Sequence, residues 1–302
     1  MAKLFDDPHW PRASTLLRSD KDSNEFDVGV VGIPCNASIT PGNCHLSPAA
    51  IRESLALFSP YDLAHEQDLS ELSIQDFGDL EVKDRTLDEV REELTKWLNS
   101  LAKPNAALVL LGGDNSITRP GVHALGEPLE GIGLLTFDAH FDLRDLGHGY
   151  HNGNPVRALL EDGLPGQNIL QVGIQSFANS KDYAKIARQE GMKMILADQI
   201  HEQPFAQTID EIDRFFGPDI HTIYVDFDID VLDRGWCPGA PGARPGGILP
   251  WQAKKFAFEV GRNPRVRALD LVELDPSLDQ NRVTQLAAAS ILLSFLSGVS
   301  CR

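Results

Sequence analysis

Short apolar runs alternate along the chain with amphipathic stretches and with loops rich in Gly, Pro, Asn and Asp. The runs at 27–34, 107–111, 132–137, 169–174, 222–227 and 266–272 are hydrophobic at successive positions, the pattern of strands buried on both faces. Two weaker runs, 72–80 and 193–197, read as further strands. Between them, periodicity near 3.6 and start signals predict helices. One begins at Pro48 with Ser47 as its N-cap and runs to about Phe58. Another covers 86–101, with Thr86 and Glu89 spaced as a capping box. Others follow over 155–161, over 181–190 with Ser180 as cap, and over 203–216, 252–260 and 282–298. Strand–helix alternation of this kind predicts an α/β fold with a parallel sheet covered by helices on both sides.

No linker of domain size interrupts the pattern. Residues 1–26 read as an N-terminal arm, with Trp10, Leu16 and Leu17 as candidate anchors, and 27–302 as a single domain. The apolar stretch 286–299 is too short to span a membrane and reads as a buried helix. With 27 basic and 44 acidic residues, the net charge of −17 argues against nucleic acid or an anionic membrane as partner. The N-terminus does not read as a signal peptide. The four cysteines, Cys35, Cys44, Cys237 and Cys301, lack metal-binding spacing and read as free thiols in a reducing, cytoplasmic compartment. An approach of Cys35 to Cys44 across their loop stays open.

Candidate chemistry falls just after strand ends. Asp138, His140 and Asp142 alternate after the run 132–137. Asp226, Asp228 and Asp230 alternate at the end of 222–227, with Asp233 beyond. Alternation at a strand mouth places side chains on one side. Carboxylates so crowded repel unless a cation or protons compensate them. Acids that only cap strand ends and helix starts would not explain the histidine or the doubled alternation. Two such clusters predict a shared metal centre. Its oxygen-rich donors and one imidazole suit manganese, with zinc, iron, cobalt and nickel open. A two-ion centre would activate water against an amidine, guanidine or amide carbon. The run 107–111 enters Gly112-Gly113-Asp114-Asn115-Ser116, where paired glycines permit a tight turn and close approach to a ligand. The Gly/Pro/Asn-rich loop 35–47 is expected to border the site, and the loop 237–247 to form a wall.

Three segments, Gly112–Ser116, Asp138–Asp142 and Asp226–Asp233, resemble in sequence, order and spacing the signatures of the arginase/agmatinase/formimidoylglutamase (ureohydrolase) family, with the resemblance extending over about 28–297. It implies a three-layer α/β/α fold around a mostly parallel sheet of about eight strands, two Mn2+ ions and a homo-oligomer, trimer or hexamer. By position, Asp138 and Asp228 would bridge the ions. His140 and Asp230 would complete one of them, and Asp142 with residue 115 the other. Family members usually carry His there; this chain has Asn115, a weaker ligand for a transition metal, so one ion site is expected to be weak.

The stretches 138–144, 152–157 and 172–180 resemble formimidoylglutamases more than arginases. Arg144 stands where the family contacts the amino-acid end of its substrate, and Arg244 in the wall loop could take a second carboxylate. Glu273 matches the acid beside the amidine or guanidine nitrogens. Asn152 occupies the place of a proton-shuttling histidine in arginase-like members and counts here as substrate-binding. His151, one residue earlier, is the candidate for proton transfer, with His148 as alternative. The expected activity is metal-dependent hydrolysis of N-formimidoyl-L-glutamate to L-glutamate and formamide. The alternatives are a guanidino-acid ureohydrolase that releases urea, and a metal-depleted, non-catalytic member.

Overall fold

A computed structural model describes residues 7–18, 26–40, 42–101, 106–126 and 128–302. In chain order the elements are β1 (Val28–Ile33), α1 (Ser47–Ser54), the two-residue strands β2 (Tyr61–Asp62) and β3 (Gln67–Asp68), β4 (Ile74–Asp79), α2 (Leu87–Asn99), β5 (Ala107–Gly112), α3 (Thr118–Ala124), β6 (Ile132–Phe137) and α4 (Pro155–Glu161). There follow β7 (Ile169–Ile174), α5 (Lys181–Gln189), β8 (Lys193–Leu196), α6 (Ala197–Glu202), α7 (Phe205–Phe215), β9 (Thr222–Asp228), α8 (Pro250–Arg262), β10 (Val266–Val272) and α9 (Val283–Val299). Eight strands form one sheet in the order β4-β1-β5-β10-β9-β6-β7-β8. Every pairing within it is parallel.

The apolar runs are buried on both faces because alternate side chains enter two different cores. Val28, Val30, Val109, Leu111, Leu135, Phe137, Val225, Phe227, Leu269 and Leu271 face one cluster, which Ile51 of α1, Ile212 of α7, Phe256 of α8 and Phe295 of α9 complete. Val31, Ile33, Leu108, Leu110, Leu134, Tyr224 and Ala268 face the other, beneath Val90 and Leu94 of α2, Val122 of α3 and Leu159 of α4. The result is the expected three-layer sandwich. The apolar segment near the C-terminus is the buried helix α9. Among the described residues no helix is long and apolar enough to cross a membrane.

Local signals hold in detail at two helices. The Thr86 N–H donates to Glu89 Oε2 at 2.7 Å, and the Glu89 N–H donates to Thr86 Oγ1 at 3.3 Å, which closes the capping box of α2. Ser180 Oγ accepts the Tyr183 N–H at 3.1 Å ahead of α5. Ser47 differs from expectation. A short 3₁₀ turn, Cys44–Leu46, leads directly into α1, so Ser47 is already helical (φ −57°, ψ −47°) and cannot act as an N-cap. Helix α1 is also shorter than expected and passes at Leu55 into a second 3₁₀ turn. Of the expected arm, residues 1–6 and 19–25 lie outside the described residues. Leu16 is buried, Leu17 packs on the core, and Trp10 is exposed. The four cysteines are free thiols: three are buried, and Cys301 is exposed.

Candidate metal centre and cleft

The four central strands, β5, β10, β9 and β6, deliver the acidic segments to one rim of the sheet, at their C-terminal ends, where open α/β sheets bind ligands. The parallel register pairs Phe137 with Phe227, so Asp138 and Asp228 follow side by side at the ends of β6 and β9. Asp226 lies lower, inside β9 and level with Asp270 of β10. Asp233 turns away from the rim and accepts the N–H groups of Gly235 and Gly246, shaping the 233–247 loop.

Ligand atoms of Asp138, His140 and Asp230 lie within 4.8 Å of one another. His140 Nδ1 stands 3.0 Å from Asp230 Oδ2 and 3.4 Å from Asp138 Oδ1. Backbone donors orient the carboxylates: the His140 N–H reaches Asp138 Oδ1 at 2.6 Å, and the Asp230 N–H reaches Asp228 Oδ1 at 2.7 Å. Asp138 Oδ2 is buried with no hydrogen-bond partner. An orphaned carboxylate oxygen beside an imidazole and a second acid fits a divalent cation. Gly242 lies against this group: a Cβ there would come 2.0 Å from Asp230 Oδ2, so only glycine lets the wall approach.

The charges require compensation. Burial, then the neighbouring carboxylates, pushes Asp142 and Asp228 well above the usual carboxylate range. Burial, then Asp230, raises Asp138 to about 6. Burial alone would lower His140, but Asp230 and the bonds to both acids outweigh it and raise the imidazole to about 12. The same imidazolium keeps Asp230 low despite its burial. Protons thus do what a cation would do in this pocket.

Asn115 and Asp142 meet on the adjacent side. Asn115 Nδ2 donates to Asp142 Oδ2, while Asn115 Oδ1 accepts from Thr118 Oγ1 at 2.6 Å. Glu273 Oε1 accepts the Asn115 N–H and Asn152 Nδ2, each at 2.9 Å. Burial, then Asp114, raises Glu273 to about 8. Asp142 (φ +53°) and Glu273 (φ +63°) both hold left-handed backbone, a cost of about 1–3 kcal/mol each that the surroundings must offset.

Of these residues, His140, Asp142, Asp228, Asp230 and Glu273 line a cleft of about 370 Å³, with Ser38, Ile39, Thr40, Arg144, Asn152, Tyr183, Pro241, Gly242 and Arg244 among its walls. The loops 35–47 and 237–247 border it as expected. The Arg144 guanidinium makes no ion pair among the described residues, whereas Arg244 Nη1 donates to the carbonyls of Gly242 and Ala243 at 2.7 and 3.1 Å. Asn152 spends its amide on the protein: Oδ1 accepts the Ile39 N–H at 3.0 Å, and Nδ2 holds Glu273. It ties a wall loop to an acid and keeps one N–H for anything in the cleft.

His151 is not among the cleft residues. Its Nδ1 accepts the Gly153 N–H at 3.0 Å, and burial, then Arg144 and His148, lowers its pKa. The paired glycines also differ from expectation. A Cβ on Gly113 would lie 1.9 Å from the Cys35 carbonyl oxygen, so its close approach is to the β1 loop, not to a ligand. Asn179 was not singled out in the sequence. Its Oδ1 accepts the Phe141 N–H at 2.8 Å and its Nδ2 donates to the Ala139 carbonyl at 2.9 Å, clamping the turn that carries His140. An Asn in a polar loop just after a strand was the only available signal.

Known proteins resemble this chain in sequence and fold. The formimidoylglutamase of Halalkalibacterium halodurans is 34% identical over 97% of this chain and 94% of its own length. The crystal structure of Bacillus subtilis formimidoylglutamase superposes with a TM-score of 0.91 at 28% identity, covering 99% of this chain and 94% of that one. A formiminoglutamase structure from Trypanosoma cruzi, described as containing Mn2+2, shares the fold with a TM-score of 0.86 at 24% identity, covering 97% and 99%. The model of the arginase family matches residues 26–298, and the chain belongs to that family.

Proposed function

We propose that this protein is a metal-dependent hydrolase that converts N-formimidoyl-L-glutamate and water to L-glutamate and formamide. The observation that carries this reading is the placement, in one cleft, of the acid–imidazole pocket, Glu273 and the two arginines Arg144 and Arg244. The names of the most similar relatives support the same substrate. Asp138, Asp228, His140 and Asp230, with Asp142 and Asn115 on the adjacent side, would hold the ions. Mn2+ suits this oxygen-rich set. When bound, the ions supply an activated water and polarise the reacting group.

The chain's own residues do the rest. Arg144, which makes no ion pair among the described residues, grips a substrate carboxylate by paired N–H donors. Arg244 offers its remaining N–H groups to the second carboxylate. Glu273 has Oε1 held by two N–H groups, which leaves Oε2 to accept from a formimino nitrogen. Burial and Asp114 raise its pKa in the metal-free site, and a cationic formimino group beside it favours the ionised carboxylate. Water adds its oxygen to the formimino carbon, the bond to the glutamate nitrogen breaks, and that nitrogen leaves with a proton given up by the same water. The Nδ1 bond of His151 gives that ring a positioning part in the 145–154 loop. A cytoplasmic homo-oligomer, trimer or hexamer, accompanies this reading on the strength of the family resemblance.

The test is a substrate panel with added Mn2+ that reads formamide, urea and ammonia separately. Formamide from formimidoylglutamate is expected; urea from arginine, agmatine or a guanidino acid overturns the assignment. Losing one charge-assisted pair costs about 1.5–3 kcal/mol, so Arg144→Ala should raise KM for the dicarboxylate substrate about tenfold to a hundredfold. An unchanged KM removes Arg144 from the site.

A further inference from the structure

We infer that Thr118 is a positioning residue: its hydroxyl is a two-way relay that lets the Asn115 amide turn over when a cation binds beside Asp142. The inference rests on the metal-dependent reading above and deepens it.

Three contacts carry it. Thr118 Oγ1 lies 2.6 Å from Asn115 Oδ1 and 3.1 Å from Asp270 Oδ2, so its single proton has two acceptors to choose between. On its other side the Asn115 amide gives Nδ2 to Asp142 Oδ2. All four groups are buried. In this arrangement Thr118 donates to the amide oxygen and the amide nitrogen donates to the carboxylate, so every polar atom on the line is used.

The arrangement is wrong for a cation. An ion beside Asp142 would meet the N–H groups of Asn115, whereas the atom a hard ion takes is the amide oxygen. Turning the amide over brings Oδ1 to the ion and carries Nδ2 inward to Thr118. A buried amide nitrogen facing a donor would be left unpaired, which is destabilising. The relay removes that cost. Thr118 rotates its proton to Asp270 and accepts from Asn115 Nδ2 with the lone pairs it frees. Asp270 is a fixed acceptor, held by the Tyr224 hydroxyl at 2.7 Å and by the Phe227 N–H at 3.1 Å. The backbone need not move, because the Asn115 N–H stays on Glu273. No proton enters or leaves; only the direction of two hydrogen bonds changes.

The test is Mn2+ binding to the full chain, with free Mn2+ counted by electron paramagnetic resonance and no substrate present. In the wild type two ions are expected, one tight and one weak. Thr118→Val keeps the shape and removes the relay, and it should weaken the second ion about tenfold or more while leaving the first within about twofold. Thr118→Ser restores the hydroxyl and should bind like wild type. Equal second-ion affinity in the valine variant, or a wild type that never takes a second ion, overturns the relay. If the valine variant does not fold, a crystal structure of the Mn2+-loaded wild type decides: Thr118 Oγ1 drawn closer to Asp270 supports it, and an unchanged distance to both acceptors sinks it. A different substrate in the activity panel would leave these isotherms unaltered, so the two failures are distinguishable.

Discussion

The two sides of the candidate metal centre are built from neighbouring residues yet hold opposite kinds of order. On one side, Asp138, His140 and Asp230 converge with one carboxylate oxygen unpaired, and protons supply the compensation. On the other, Asn115 and Asp142 are closed on each other by a hydrogen bond, backed by Thr118. A cation entering the first side displaces a proton from an assembled cage. A cation entering the second must break a bond and reorient an amide. A shared address at the strand ends therefore does not imply equal affinity for an ion.

The strongest way to break this comparison is to remove the ordered side. His140→Asn replaces the imidazole and should abolish tight binding of the first ion. A loss of several kcal/mol of charge stabilisation lowers turnover about a thousandfold or more; retained activity with one tight ion would mean the sides had been assigned the wrong way round. Next in size, Asn115→His should bring the two sides together, tightening the second ion on the order of tenfold, since imidazole is the better ligand for a transition metal. Mn2+ titration reads this directly, and an unaltered second affinity would place the weakness elsewhere.

The smallest effect is on stability. In metal-free protein the carboxyl groups of Asp138, Asp142, Asp228 and Glu273 have raised pKa values, Asp138 reaching about 6 and Glu273 about 8. The folded state then binds more protons than the unfolded state between the ordinary carboxylate range and those values. Stability from these groups is present at low pH and lost as pH rises through the folded values. The melting temperature of the metal-free protein should therefore fall between about pH 5 and pH 8, and Mn2+ should restore it at the upper end. A melting temperature that rises with pH, with or without metal, would contradict the account of the crowded acids.

Much of the fold was legible because burial on both faces writes strands such as 107–111 and 169–174 as unbroken apolar runs. The candidate ligand side chains were legible because alternation at a strand end is a local property. What escaped depends on partners distant in sequence. Gly113 looked like a ligand loop, but its neighbour is the Cys35 backbone. The ties of the Asn152 amide to Ile39 and Glu273 were equally out of reach of local pattern. Ser47 carried a cap signal that a preceding 3₁₀ turn overrode. The Thr118–Asp270 contact spans 152 positions, and no spacing rule could have joined them.

The sheet order has a consequence for assembly. Strand β10 lies between β5 and β9, although it is synthesised after both. Until it arrives, the sheet is two separate fragments: β4, β1 and β5 on one side, and β9, β6, β7 and β8 on the other. Asn115 belongs to the first fragment, and His140, Asp142 and Asp230 to the second. The strand that bridges them also brings Glu273 and Asp270, so a nascent chain cannot present both halves of the cage to an ion before its final strand has been threaded into the gap.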